Sequence, residues 1–253
     1  MNDNEKAERV RRFLLLPIRK DEHIKYNEDG IMTTQTYLSG FDYDMSDISV
    51  QFYKIIYGID ILDDKGQLIE KQFAGDTMCS FNTIANCVDG AGKSTKQRTP
   101  YEQWPKFLQD YYDSYHCLAN FWVLPLWAGR SYPNMPQEHK WASKTGTGDG
   151  INIQDYMDRY LSFLQNNYPK FIKHYVEYGR EFSSFSDFAY KHYLRGEENY
   201  ISKGGKINLY SQQKDPEAVV NSMNEKIKER AKAISESSKC NDLYKWILEL
   251  EVS

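Results

Sequence analysis

The chain is defined first by what it lacks. No apolar stretch approaches the roughly 20 residues a helix needs to cross a bilayer, so no membrane association is expected. Met1 to Arg12 is charged throughout, and Phe13-Leu14-Leu15-Leu16 is too short for the apolar region of a signal peptide. Four cysteines, Cys79, Cys87, Cys117 and Cys240, contain no Cys-x-x-Cys pair. Cys79 and Cys87 stand eight apart, which on one helix face is too far to bridge. The expectation is a soluble protein of a reducing, cytoplasmic compartment. Gly-x-Ser-x-Gly elbows, paired catalytic carboxylates, internal repeats and low-complexity segments are all missing. His139, His174 and His192 have no metal-ligand spacing, and His174 and His192 are expected on solvated or half-buried faces. A formal net charge of −4 supplies no basic excess, so nucleic acid is not a favoured partner.

Aromatic rings, by contrast, are abundant. Phe, Trp and Tyr make up 15% of the 253 residues, carried by 20 Tyr and 12 Phe. Tyrosine-rich cores bury rings while holding hydroxyls at a boundary or pocket. The length suits one domain with ample chain to bury a core.

Periodicity reads mostly as helix. Residues 4–15 form a short charged helix ended by Pro17. Ile48, Phe52, Ile55, Ile56 and Ile59 recur at helical spacing. Asp42-x-Asp44-x-Ser46 opens like a calcium loop but has Asp47 and Tyr53 where Gly and Glu belong; those acids instead solvate a loop and cap the helix at 48. Asp63-Asp64-Lys65-Gly66 reads as a tight turn joining short strands at 59–62 and 67–72. Helices are expected over 77–88, 100–115, 152–165, 168–178, 184–194, a long segment from Asp215-Pro216, and 241–250. In the long one, Val219, Val220, Met223, Ile227 and Ile234 form the apolar face, and the Lys/Glu-rich 224–236 stretch its wet side. The fold class is therefore mainly α, or α+β with a small β-hairpin near 59–72, in a single multi-helix globular domain. Residues 1–200 make the core with a polar cleft, and 201–253 supply C-terminal helices packed on it.

Asp89-Gly90-Ala91-Gly92-Lys93-Ser94-Thr95 looks like the phosphate-binding loop of nucleotide kinases. It fails on physical grounds. Cys87 occupies the position of the first glycine, which must permit the wrapping turn. The preceding residues carry helical spacing where a buried strand should stand. Pro100 follows Lys93 closely, and Thr99-Pro100-Tyr101-Glu102 reads as a fresh helix start with a capping box. Gly90–Thr95 is thus a connector between helices.

One segment resembles a site. Gly75-Asp76-Thr77-Met78 precedes a helix, with Asp76 or Thr77 placed as its N-cap. Tyr115 through Pro125 then sets His116 and Asn120 inside an apolar run, sharing a face if the helix of 100–115 continues that far. Buried polar groups must find partners, so they either knit the core or line a pocket. Asp76, Asn82, His116, Asn120 and Arg130 are the candidate set. His116 and Asp76 are the candidates for catalysis, and Asn82, Asn120 and Arg130 for ligand binding. No metal site and no cofactor are assigned.

Three blocks in this region resemble a family of bacterial proteins known only as a domain of unknown function, DUF6994. They are Gly40-Phe41-Asp42-Tyr43 leading into a helix and an Asp-Lys-Gly turn, Gly75 through Phe81, and Tyr115-His116 through Leu124-Pro125. Asp155-Tyr156-Met157-Asp158 also fits. The resemblance spans roughly residues 38–165 and implies no activity. Leu118-Ala119-Asn120-Phe121-Trp122-Val123-Leu124 is similar to a segment of an HNH-type nuclease domain of modification-dependent restriction enzymes. There an upstream Asp/Glu-His pair supplies a metal ligand and the base that activates water. This chain has no His between His23 and His116, and Ala119 replaces a glycine, so that likeness carries over no catalytic residue.

Two function classes follow. The first is a binding module that takes a protein partner or a small polar ligand in the cleft around Asp76, His116, Asn120 and Arg130. The second is a metal-dependent hydrolase or degenerate HNH-like nuclease of bacterial defence or host–phage conflict. In that reading His116 is the base and Asp76 a metal ligand or orienter.

Overall fold

Asn2 opens the first helix with a reciprocal capping box. Its side chain accepts from the Glu5 N–H at 2.9 Å, and the Asn2 N–H donates to Glu5 at 2.7 Å. A computed structural model describes residues 2–18, 46–58, 72–77, 99–125, 183–195 and 216–252. These hold helices α1 (Asp3–Leu14), α2 (Asp47–Tyr57), α3 (Lys106–Ser114), α4 (Phe185–Lys191), α5 (Pro216–Ser235) and α6 (Cys240–Val252). They also hold two strands, β1 (Gln72–Asp76) and β2 (Phe121–Pro125). The fold is mainly α, as the periodicity leads one to expect.

Helix α2 buries Ile48, Phe52 and Ile56, its apolar series. Its cap is the Ser46 hydroxyl, which accepts from the Ser49 N–H, not one of the preceding acids. The apolar series continues to Ile59, but the helix stops at Tyr57. Gly58 adopts the left-handed conformation (φ 67°) and donates to the Lys54 carbonyl, a cap that L residues with a Cβ resist.

The segment expected as one helix over 100–115 is two. The N-cap position falls on Pro100, which makes no side-chain cap; Tyr101–Gln103 is a single 3-10 turn, and α3 begins afresh at Lys106. Pro105 is the cause: it forces Trp104 into extended backbone (ψ 154°) and lacks the N–H that a continuing helix needs. The helix then ends at Ser114, well short of Asn120. Leu118–Asn120 is a 3-10 turn leading directly into β2. His116 and Asn120 therefore do not share a helix face.

β1 and β2 pair antiparallel, with Gln72 opposite Pro125 and Asp76 opposite Phe121. Gln72 thus begins a strand whose partner lies far downstream. The hairpin residues 59–71 lie outside the described residues, as do the expected helices at 152–165 and 168–178, residues 78–88 of another, and Gly90–Thr95.

The C-terminal helices pack against α1. Phe13 meets Trp246 edge to face at 5.5 Å between ring centroids. Arg9 Nη2 contacts both carboxylate oxygens of Glu251 at 2.5 Å. Val10, Phe13 and Leu14 of α1 are buried, as are Leu243, Trp246 and Ile247 of α6. Each such side chain contributes roughly 1.5–3 kcal/mol on burial. Val220, Met223, Ile227 and Ile234 of α5 are buried as well, the stripe its spacing marks out. Among the described residues no helix is long and apolar enough to cross a membrane.

Candidate functional site: a tyrosine-walled cavity

The segments at 17–18 and 76–77 converge on residues 116–121. The Ile18 N–H donates to the His116 carbonyl at 2.7 Å, beside an isolated bridge between Pro17 and Cys117. Thr77 continues the ladder beyond Asp76, its N–H donating to the Asn120 carbonyl at 2.5 Å. The Thr77 hydroxyl donates to Asn120 Oδ1 at 2.7 Å, and Asn120 Nδ2 donates to the Tyr115 carbonyl at 2.9 Å. Both ends of the Asn120 amide are thus engaged within the core, and Thr77 and Asn120 are almost wholly inaccessible. Of the two roles a buried polar group can take here, Asn120 knits the core.

His116 is half-buried beside this node, its ring 3.8 Å from that of Tyr115 and 6.0 Å from that of Phe121. Asp76 ends β1 at the same edge, opposite Phe121; its side chain lies outside the described residues, as do Asn82 and Arg130 altogether. Among the described residues no group of three or more His, Cys, Asp or Glu is arranged to hold a metal ion.

The polar centre that periodicity did not mark is Arg230. It sits within the stretch expected to be the wet side of α5, yet it is 1% exposed. Nε donates to the His192 carbonyl at 3.0 Å, Nη1 to the carbonyls of Ala119 (2.6 Å) and Phe121 (2.8 Å), and Nη2 to the Tyr57 hydroxyl at 2.8 Å. One guanidinium thereby ties α5 to α2, to the end of α4 and to the turn that launches β2. A signal for it existed. Arg230 follows Ile227 by three and precedes Ile234 by four, so it lies on the apolar stripe.

His192 is likewise buried, at 2% exposure, and not on a solvated or half-buried face. It packs edge-on to Trp122 at 5.9 Å and beside Tyr57 at 5.5 Å. The reason is the end of α4. Leu194 N–H returns to the Ala189 carbonyl and Tyr193 N–H to the Tyr190 carbonyl, both at 2.9 Å, the double bond of a Schellman motif. The position that motif gives to glycine is held by Tyr193, whose φ is 62°. The turn folds His192, Tyr193 and Leu194 inward against α2 and α5.

Between these elements lies a cavity of about 890 Å³. Tyr57 of α2 and Tyr190, His192 and Tyr193 of the α4 turn form one wall. Glu229, Lys232 and Ala233 of α5 also line it, as do Glu236, Ser237 and Ser238 just beyond that helix. Tyr57 and Tyr193 stand 6.5 Å apart, centroid to centroid. Burial pushes the Tyr193 phenol above its ordinary value, and the nearby Tyr57 adds to this. A Ser237 hydrogen bond and the Arg230 and Arg195 charges offset it in part. Tyr193 therefore carries a neutral O–H across the physiological range. At the rim Arg195 lies over the Tyr190 ring, 4.1 Å from its centroid, and donates from Nη1 to the Tyr190 carbonyl at 3.0 Å.

Arg230 thus links the cavity wall, through Tyr57, to the backbone on either side of Asn120. Comparison with known proteins finds no matching family model, no matching curated protein and no matching solved structure.

Proposed function

We propose that this chain acts by binding, and that its ligand is a small organic molecule with a flat ring, seated between α2, the α4 turn and α5. The observation that carries this reading is Tyr193. A tyrosine held in left-handed backbone costs about 1 kcal/mol over glycine, and such strain collects where a side chain must be aimed. Here it aims a ring into the wall of a cavity whose volume, about 890 Å³, falls within the range of small-molecule sites. Tyr57, Tyr190 and Tyr193 in its lining supply aromatic surface for a flat ring. The cysteine pattern supports a cytoplasmic setting, and the resemblance to a family of unknown function is compatible with a binding role.

The test is a ligand-observed NMR screen of flat aromatic compounds against the protein and against Ala233→Phe. Ala233 lines the cavity, so the added ring fills it. The reading expects compounds whose saturation transfer is present with the native protein and lost in the variant. It fails if nothing binds, or if the folded variant binds the same compounds equally.

A further inference from the structure

Arg195 and Arg230 both lack a carboxylate partner among the described residues; Arg195 lines this cavity, and Arg230 is buried behind it, bonded to the Tyr57 hydroxyl of its wall. Most other cations nearby are neutralised. Lys191 pairs with Asp187 at 3.1 Å, Lys226 with Glu229 at 3.0 Å, and Lys232 with Glu236 at 3.9 Å. The two carboxylates of the cavity wall, Glu229 and Glu236, are thus each already matched by a lysine. Among the described residues Arg195 lies over the Tyr190 ring and donates to the Tyr190 carbonyl, both neutral groups. Arg230 spends its bonds on three carbonyls and the Tyr57 hydroxyl, all neutral acceptors. A buried cation held by dipoles alone leaves a positive field directed toward whatever lies beyond them. Beyond Tyr57 lies the cavity.

We propose, resting on the binding reading above, that the ligand is an anion: a carboxylate or phosphate attached to the flat ring. The acid group lies toward Arg195, within the field of Arg230, and the ring lies against the tyrosines. Arginine's planar fork matches either acid through paired N–H bonds, which a lysine at the same rim could not offer. The location also fits a chain whose net charge is −4, because an anion is attracted only where the local field reverses the overall sign.

The experiment titrates three probes sharing one ring, 1-naphthyl phosphate, 1-naphthoate and neutral 1-naphthol, by calorimetry at low and moderate salt. The expected result is that at least one anion binds about tenfold tighter than naphthol. Arg195→Gln should abolish that preference, so that anions and naphthol bind the variant alike, with a cooperative urea transition showing that the variant is folded. Whichever anion binds more tightly names the acid group. Equal binding of all three probes overturns the anion inference and leaves the binding reading standing. Retention of the full preference in Arg195→Gln overturns it too. Binding of none overturns both.

Discussion

Arg230 Nη2 donates to the Tyr57 hydroxyl at 2.8 Å, joining residues 173 apart in sequence and closing α5 onto α2. The same guanidinium holds the Ala119 and Phe121 carbonyls, so the turn before β2 and the cavity wall share one cation. Replacing it with methionine keeps much of the volume but strands buried acceptors, each of which costs roughly 1–3 kcal/mol when left unmet. Because these losses overlap, Arg230→Met is expected to lower stability by about 3–4 kcal/mol in urea unfolding. Arg230→Lys should recover little, since one ammonium cannot span four acceptors on three elements. A loss below about 1 kcal/mol for the methionine variant would mean the cation is not what ties these elements together.

Asn120 offers a second test, directed at whether it is core or site. Its amide donates at one end and accepts at the other, both within the buried node. Asn120→Ala is expected to cost about 2–3 kcal/mol, and Thr77→Val about 1 kcal/mol. The double variant should fall short of their sum, because each single change already breaks the shared bond. Strict additivity in urea unfolding would show that the two side chains do not act together.

Among the described residues helix existence was legible in the sequence; several helix limits were not. The stripes of α2 and α5 are long, regular and buried, so spacing alone finds them. The 100–115 reading missed that Pro105 splits it, because the Thr99-Pro100 cap signal and the Trp104–Tyr111 apolar spacing are locally consistent with one helix. The β1–β2 pairing joins residues about fifty apart, and no local pattern encodes such a partner. The candidate site was half legible. An apolar run containing His116 and Asn120 correctly marks a place where polar groups are buried. That a cation from α5 serves it could have been suspected only from Arg230's phase on the stripe. The inward turn of His192 and Tyr193 depends on left-handed backbone at a tyrosine, which composition gives no reason to expect.

The start of α4 predicts an acid-sensitive region. Ser183 N–H donates to Asp187 Oδ2 at 2.8 Å, and Asp187 N–H donates to Ser184 Oγ at 3.0 Å, an N-cap bond from Ser184 with a second bond one residue earlier. The Ser183 N–H holds the Asp187 carboxyl below its ordinary value, with Lys191 assisting. A carboxyl whose folded value is depressed binds fewer protons folded than unfolded. Its contribution is therefore present above the ordinary value of 3.8 and is lost as pH falls through the folded value. Amide exchange in α4 should accelerate as pH drops below about 4, beyond the intrinsic pH trend, and Asp187→Asn should flatten that dependence. Ser184→Ala should loosen the same amides by about 1 kcal/mol at neutral pH. An unchanged acid response in Asp187→Asn would assign the sensitivity elsewhere.

Tyr193 can be tested for strain without confusing strain with the loss of its ring. Tyr193→Ala and Tyr193→Gly both remove the ring, which is 9% exposed, so both should be less stable than the native protein. They differ in backbone alone. At an ordinary position alanine is the more stable of the two by about 0.5–1 kcal/mol, because glycine loses more conformational freedom on folding. At φ 62° the order should invert, since only glycine occupies left-handed backbone without steric cost. Tyr193→Gly is therefore expected to exceed Tyr193→Ala by about 1 kcal/mol in urea unfolding. The opposite order would mean that the α4 turn relaxes into ordinary backbone once the ring is gone. In that case the ring holds the left-handed turn in place, and the turn does not independently aim the ring.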